Sequence, residues 1–136
     1  MTIQLSIITP DKVFFNGEAE EIILSTNLGQ LGILTGHAPL VTALDINILL
    51  FRLKKKWTIF AVMGGFALVK QDNLTVLVNE AEGIQTIDSK EAKKALDNAR
   101  QQLTKAKNKK QRVSAQFYLK RAQARYKVVQ KQLNLN

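Results

Sequence analysis

The 136-residue chain has no cysteine, one histidine, two prolines and one tryptophan. The absence of cysteine excludes disulfides, thiolate metal sites and cysteine nucleophiles, and a single histidine excludes a metal site built from several histidines. No apolar run approaches the roughly 18 residues of a membrane span. The N-terminal residues resemble neither a secretory signal nor an Arg/Ser-rich transit segment. We therefore expect one domain, or a small domain with an appendage, that works where it is made.

Charged residues are distributed unevenly along the chain. Residues 1–88 contain six Lys/Arg and nine Asp/Glu, a balance of −3, whereas residues 89–136 contain fourteen and two, a balance of +12. All seven glycines and both prolines lie before position 84. Because charge and composition change at the same place, the sequence indicates two physically different modules. We expect residues 1–87 to form the first and residues 88–136 to form the second.

The first module has the pattern of short strands. Ile3, Leu5 and Ile7 alternate with polar residues, which predicts a strand, and Asn16-Gly17 predicts the two-residue turn of a β-hairpin. Turn signals separate the further apolar runs, which span residues 22–24, 31–34, 46–53, 57–62, 66–69 and 74–78. We expect an antiparallel β-sandwich or barrel with one modest core. No parallel strand-helix-strand unit is available, which excludes the nucleotide-binding folds that depend on one.

The second module has the pattern of two helices. Asp88 predicts the N-cap of the first helix, and Glu91 completes a capping box. The first apolar stripe consists of Ala92, Ala95/Leu96, Ala99, Leu103 and Ala106. After a break at residues 107–110, the second consists of Ala115, Tyr118/Leu119, Ala122, Tyr126, Val129 and Leu133. The spacing predicts an antiparallel hairpin of helices of roughly 18–22 residues each. Alanine-rich stripes bury little area, so we expect the hairpin to need a docking surface.

The predicted fold class is thus a mainly β N-terminal sandwich or barrel followed by an antiparallel α-helical hairpin. Within it, no arrangement of residues predicts catalysis. His37 has no second histidine and no obvious carboxylate partner, so we interpret it as a packed or hydrogen-bonded loop residue. Ser25, His37 and Asp45 lack the Gly-x-Ser-x-Gly context of a hydrolase nucleophile. The glycines at 29–32 and 64–65 lack the ending of a phosphate loop and predict turns. The sequence predicts no catalytic residue, no metal site and no cofactor.

The basic side chains of the second module allow several interpretations. They favour a footprint for an acidic protein face, while a solvated helix surface, a nucleic acid and a membrane surface are the alternatives. Few aromatic residues are available to stack on bases, and two of them, Tyr118 and Tyr126, are expected on the inward stripe. The stripe is rich in alanine and has no tryptophan, so it would insert weakly into a membrane. The alternative function is a stand-alone nucleic-acid-binding module that uses the basic hairpin.

Several motifs together resemble one known family. They are EIILSTN at 21–27, GQLGIL at 29–34, HAP at 37–39, MGGFA at 63–67, LVNEAE at 77–82 and an Arg121-Ala122-x-x-Arg125 run. This set resembles the epsilon-subunit family of F-type ATP synthase, in the form usual for chloroplasts and cyanobacteria. The resemblance covers the whole chain, including the order of the two modules.

The resemblance implies a non-catalytic subunit of the rotating central stalk. In that family the sandwich lies against the gamma subunit and the ring of c subunits. The hairpin either folds on the sandwich or extends along gamma toward an acidic segment of the beta subunit, where it restrains ATP hydrolysis. The implied location is peripheral, on the stromal or cytoplasmic face of a thylakoid membrane, with no membrane insertion and no nucleic acid.

The resemblance also implies two sets of contact residues. Rotor contacts are expected at Gly29, Gln30, Leu31, Gly32, His37 and Pro39. A regulatory basic face is expected at Lys120, Arg121, Arg125 and Lys127. The implied partners are therefore gamma and the c-ring for the first set, and the acidic segment of beta for the second.

Some bacterial members of the family bind ATP through an Ile/Leu-Asp-x-x-Arg-Ala motif. The corresponding segment here is Ile87-Asp88-Ser89-Lys90-Glu91-Ala92, in which Glu91 stands where the arginine belongs. A carboxylate repels phosphate, whereas an arginine binds it through two hydrogen bonds. We therefore expect no nucleotide site, although Arg121 and Arg125 are side chains of a kind that binds phosphate.

Overall fold

A computed structural model describes residues 1–135, apart from the side chains of Leu133 and Leu135. Its strands are β1 (Ile3–Thr9), β2 (Lys12–Ala19), β3 (Glu21–Thr26), β4 (Gly29–Leu34), β5 (Leu40–Leu53), β6 (Lys56–Lys70), β7 (Asn73–Val78) and β8 (Ala81–Glu82). A 3-10 turn (Ile84–Thr86) leads to the helices α1 (Ser89–Lys105) and α2 (Lys109–Leu135). Leu133, a predicted member of the second apolar stripe, lies outside the described side chains.

The strands form one continuous ladder in the order β2-β1-β7-β6-β5-β3-β4, and β8 pairs with β6. Among the described residues every pairing is antiparallel except that of β1 with β7. β5 and β6 are 14 and 15 residues long and pair along nearly their whole length. The ladder folds over and encloses one core with side chains from β1 to β7. The predicted fold class, a sandwich followed by a helical hairpin, is confirmed.

β6 contributes to two cores. The consecutive residues Ile59–Met63 are all buried. Phe60 and Val62 belong to the sandwich core, and the other three side chains belong to a second core that includes Ile48 of β5 and Val128 of α2. Successive side chains of a strand point to opposite faces, so a run that is buried throughout is covered on both faces. The cover on the outer face is α2.

The predicted hairpin turn at Asn16-Gly17 is wrong. β2 runs through both residues without a break, and the turn between β1 and β2 lies at Pro10-Asp11. The Asn16 side chain accepts hydrogen bonds from two polar side chains of β1. A Cβ atom on Gly17 would lie 3.0 Å from the Phe15 ring, so glycine leaves room for that ring. Both residues therefore serve the strand pairing rather than a turn.

Asp88 caps α1 as predicted. Its Oδ1 atom accepts hydrogen bonds from the backbone N–H groups of Lys90 at 2.9 Å and Glu91 at 3.0 Å. These bonds satisfy two of the N–H groups that the first turn of a helix leaves without partners. The Glu91 carboxylate, which the capping-box prediction directs back to residue 88, pairs instead with Arg125.

α2 differs from its prediction in two ways. It has 27 residues and begins at Lys109, inside the predicted break, because Asn108 accepts a hydrogen bond from the Gln111 N–H and caps it. Tyr118, predicted on the inward stripe, is 61% exposed, and Leu119 takes that place beside α1. Positions 115, 119, 122 and 126 follow the alternating spacing of four and three that keeps residues on one helical face.

Candidate functional site

The helical hairpin is docked on the sandwich through α2. Ala124, Val128 and Val129 pack against the outer face of β5 and β6, which we refer to as the docking interface. The other buried members of this second core are Ile48, Ile59, Ala61, Met63, Ile87 and Ala92. This apolar strip supplies the docking surface that the alanine-rich hairpin was expected to need.

A bidentate ion pair links α2 to the edge of the sandwich. Arg121 Nε donates to Glu80 Oε1 at 2.8 Å, and Nη2 donates to Glu80 Oε2 at 2.7 Å. Two such bonds fix the orientation of the guanidinium as well as its distance. They lower the pKa of Glu80 and raise the pKa of Arg121, while burial opposes both changes. Both groups are therefore charged at neutral pH.

Arg125 lies one turn further along α2 and is only 8% exposed. Its Nε donates to Glu82 Oε2 at 2.6 Å, and Nη1 and Nη2 donate to the carboxylate oxygens of Glu91 at 3.3 and 3.1 Å. Burial by itself would lower the pKa of Arg125, but the hydrogen bonds to Glu91 and Glu82 outweigh it and raise the pKa. One guanidinium thus joins α2 to β8 and to the first turn of α1.

Two lysines make longer contacts at the docking interface. Lys120 Nζ lies 3.5 Å from Asp45 Oδ1, and Lys127 Nζ donates to Asn47 Oδ1 at 3.3 Å. Both partners lie on β5. All four residues of the predicted basic face (Lys120, Arg121, Arg125 and Lys127) are therefore brought together against the sandwich.

None of the sandwich partners of the basic face was predicted from the sequence as a contact residue. They are Asp45, Asn47, Glu80 and Glu82. Two signals point to them: the opposite charges of the two modules, and apolar residues at consecutive positions of the predicted strand at 57–62. The second signal indicates a strand covered on both faces, and acidic residues beside it would face a basic cover.

α1 rests on α2. Leu96 and Ala99 of α1 pack against Ala122 of α2 in a third small cluster. The first turn of α1 contributes Ala92 to the docking interface and Glu91 to the ion pair with the buried arginine. The hairpin is thus held to the sandwich chiefly by one helix.

The six predicted rotor-contact residues lie along one edge of the ladder. They are Gly29, Gln30, Leu31 and Gly32 on the edge strand β4, and His37 and Pro39 in the loop that follows. A strand of six residues spans about 20 Å, so these residues form a band rather than a compact cluster. The Gly36 N–H donates to Asp72 Oδ1 at 2.8 Å and anchors the loop. His37 is half-buried, with Nδ1 2.6 Å from the Ala38 carbonyl oxygen.

The other outer face of the sandwich carries an exposed apolar row. It crosses five strands through directly opposed residues, which are Ala43, Phe66, Leu77, Ile8 and Val13. Phe66 is 58% exposed and Leu77 is 50% exposed. Val41 and Leu68 extend the row and are also exposed. A contiguous apolar surface of this kind marks an interaction site.

The docking interface combines ion pairs with apolar contacts. Such a combination holds two modules together and can be exchanged for a similar surface elsewhere.

Within residues 1–135, no group of three or more His, Cys, Asp or Glu is placed to hold a metal ion. In the same range, no helix is long and apolar enough to span a membrane.

Two family models match nearly the whole chain. Residues 2–84 match the beta-sandwich domain of the ATP synthase delta/epsilon chain, and residues 85–130 match its long alpha-helix domain. The chain belongs to the ATP synthase delta/epsilon family. The resemblance inferred from the sequence motifs is therefore confirmed.

Two relatives of this delta/epsilon chain are chloroplastic ATP synthase epsilon chains. It is 58% identical over 129 residues to the chloroplastic ATP synthase epsilon chain of Tupiella akineta, a match that covers 95% of this chain and 99% of the relative. It is 56% identical over 135 residues to that of Chlorella vulgaris, covering 99% and 100%. The chain is thus of the chloroplast epsilon type and is a non-catalytic subunit, as predicted.

Solved ATP synthases contain chains of the same fold. One, in the Euglena gracilis mitochondrial ATP synthase (OSCP/F1/c-ring), aligns with a TM-score of 0.79 at 25% identity over 90% of this chain and 78% of that one. Another, in the Tetrahymena thermophila central stalk/c-ring, shows the fold with a TM-score of 0.62 at 18% identity over 93% and 96%. The predicted role as a rotor subunit of the ATP synthase is confirmed, and the nucleic-acid-binding alternative finds no support in these matches.

Proposed function

We propose that this delta/epsilon chain joins gamma to the c-ring through its sandwich and restrains ATP hydrolysis through its hairpin, on the stromal face of the thylakoid membrane. The division between the two roles falls between residues 87 and 88, and neither role uses a nucleotide site. The observation that carries the proposal is the docking interface. It engages the whole predicted basic face with groups of the sandwich, so docking competes with any other partner for those cations.

Docking and release exchange similar contacts. Arg121 and Arg125 already have carboxylate partners in the docked arrangement. An acidic segment of the beta subunit would offer the same chemistry, so the two states differ by a small net free energy. The docked hairpin is then the state that permits hydrolysis, and the extended hairpin is the brake.

The sandwich surface supports attachment to the rotor. The apolar row suits a partner surface of low charge, and we assign it to gamma. The band of predicted rotor-contact residues on β4 and the following loop lies mostly exposed, as contacts to gamma and the c-ring require. Both surfaces lie outside the docking interface, so attachment does not depend on where the hairpin rests.

An ATP synthase reconstituted with a chain that lacks residues 89–136 tests the proposal. The truncated chain keeps both rotor surfaces and should co-purify with gamma and the c-ring, while ATP hydrolysis rises severalfold because the brake is missing. In the full chain, Glu80→Lys/Glu82→Lys repels Arg121 and Arg125 from the sandwich. This variant should release the hairpin and lower hydrolysis below the wild-type rate.

Glu18→Lys provides the matched control, because Glu18 is an exposed carboxylate of β2 outside the docking interface. It should leave hydrolysis unchanged. If truncation and Glu80→Lys/Glu82→Lys both left hydrolysis at the wild-type rate, the hairpin would be a passive spacer and the proposed brake would be wrong.

A further inference from the structure

The end of α2 contacts the backbone of β6 through one side-chain amide. Gln132 Oε1 accepts a hydrogen bond from the Ile59 N–H at 3.0 Å, and Gln132 Nε2 donates to the Trp57 carbonyl oxygen at 3.1 Å. The amide thus bridges two backbone groups that are two residues apart on the same strand. Gln132 itself is half-buried.

The contacted backbone groups lie on the edge of β6 that also pairs with β8. Backbone groups of alternate residues in a strand point to the same side. The Met63 N–H donates to the Glu80 carbonyl oxygen at 2.9 Å, and Ala61 is paired with Glu82. Residues 57, 59, 61 and 63 therefore share one edge, and Gln132 continues the pairing where β8 ends. At that point its side-chain amide supplies the hydrogen-bond donor and acceptor that the backbone of a neighbouring strand would supply.

This contact constrains the position of α2 more closely than apolar packing does. Positions 121, 125 and 132 are separated by four and seven residues, so they lie on one face of the helix. A two-point contact with a strand edge fixes both the rotation of that face and its position along the sheet. The same placement brings Arg121 to Glu80 and Arg125 to Glu82.

We propose that Gln132 is a positioning residue that sets the register of the docked hairpin. It acts through the strand edge at Trp57 and Ile59 and aligns the ion pairs that hold the basic face on the sandwich. The proposal rests on the proposed function only in taking the docked state as the one that permits hydrolysis.

The chemistry of the contact requires one donor and one acceptor on the same side chain. A glutamate at position 132 has two acceptor oxygens at neutral pH, and one would face the Trp57 carbonyl oxygen. A protonated glutamate again has a donor and an acceptor. The adjoining cavity of about 480 Å³ is lined by uncharged residues, among them Phe14, Phe60 and Ile84. No titratable side chain of this described lining competes with the contact.

The test uses the full-length chain with Gln132→Leu, Gln132→Glu and the matched control Gln130→Glu, whose site is exposed on the same helix. Amide hydrogen exchange at Ile59 is measured by NMR at pH 7.5 and pH 5 and corrected for intrinsic rates. At pH 7.5, exchange of the Ile59 N–H should be at least about ten-fold faster in both Gln132 variants. In Gln132→Leu this N–H loses its acceptor, and in Gln132→Glu the repulsion from the Trp57 carbonyl oxygen shifts the helix. At pH 5 the Gln132→Glu variant should move toward wild type, since the Trp57 carbonyl oxygen disfavours the ionised carboxylate and raises the pKa of the glutamate.

Gln130→Glu should match wild type at both pH values. The proposal is overturned if Gln132→Glu behaves like Gln130→Glu at pH 7.5. It is also overturned if the two Gln132 variants are equal and independent of pH, because the side chain would then act by packing alone. Ile59 exchange that changes as expected, with unchanged ATP hydrolysis in the reconstituted complex, supports the positioning role and counts against the brake.

Discussion

At Arg125 a single side chain holds three parts of the chain together. It is carried by α2, and its partners Glu82 and Glu91 belong to β8 and α1. A nearly buried cation is stable only when carboxylates surround it. The side chain of Glu82 is 20% exposed and that of Glu91 is 55% exposed. The contact with Glu82 is therefore less screened by water and contributes more to docking.

Replacing Arg125 by methionine removes the charge but keeps a long apolar stem. Glu82 then becomes a partly buried carboxylate without its cation, and we expect docking of α2 to lose about 1–3 kcal/mol. Hydrogen exchange along α2 should accelerate accordingly, while exchange in β1 and β7 stays unchanged. Arg100→Met is the control, because the Arg100 side chain is 56% exposed on α1. An equal effect of the two substitutions would contradict the role assigned to Arg125.

Single residues were predictable where the deciding partner is close in sequence. Asp88 caps α1 because the N–H groups that it accepts lie two and three residues away. Asn16 was misassigned because its partners lie on β1, 12 and 10 residues away. The partners of Arg125 lie 43 and 34 residues away, so the sequence around Arg125 does not identify them.

α2 is the element that the sequence described least completely. One face, with Ala122 and Leu119, packs on α1, and this face was predicted from its apolar spacing. The second face, with Ala124 and Val128, packs on the sandwich. This second face shows no apolar pattern in the sequence because Arg121, Arg125 and Gln132 lie on the same side of the helix. A helical face that binds through ion pairs as well as apolar contacts has the polar pattern of a solvent-exposed face. The sequence alone therefore does not identify it as an interface.

Substitutions at two valines of α2 distinguish the contribution of docking from the contribution of helix stability. Val128 is fully buried in the docking interface, whereas Val113 is 58% exposed. We expect Val128→Ala to weaken docking by about 1–3 kcal/mol through lost packing, and Val113→Ala to change it by less than about 0.5 kcal/mol. Chemical denaturation followed by circular dichroism, with hydrogen exchange in α2, measures the difference. If Val113→Ala cost as much as Val128→Ala, helix propensity rather than docking would explain the loss.

The whole molecule pairs a slightly acidic sandwich with a strongly basic hairpin. The balances of −3 over residues 1–88 and +12 over residues 89–136 were available from the sequence, and opposite charges favour contact between modules. The docked arrangement itself was not predictable. An extended hairpin would satisfy the same cations with carboxylates of another chain, so charge alone does not choose between the two states.

Salt should therefore weaken docking. Raising the ionic strength from about 0.1 M to about 1 M shortens the screening length from about 10 Å to about 3 Å. We expect a lower docked fraction, measured by energy transfer between dyes on cysteines introduced at Lys55 and Lys107, exposed sites in a chain without native cysteine. Glu80→Gln/Glu82→Gln should flatten this salt dependence. A docked fraction that rises with salt in the wild-type chain would show that apolar contacts alone hold the hairpin.

The segment Ile59–Met63, buried on both faces, also has a mechanical consequence. Part of any pull on α2 reaches the sandwich through this stretch of β6, which pairs with β5 along its length. The force is then shared among many backbone hydrogen bonds of the sheet instead of acting on a single flexible loop. A rotating subunit whose hairpin can leave the sandwich would in this way keep the sandwich folded when a force acts on the hairpin.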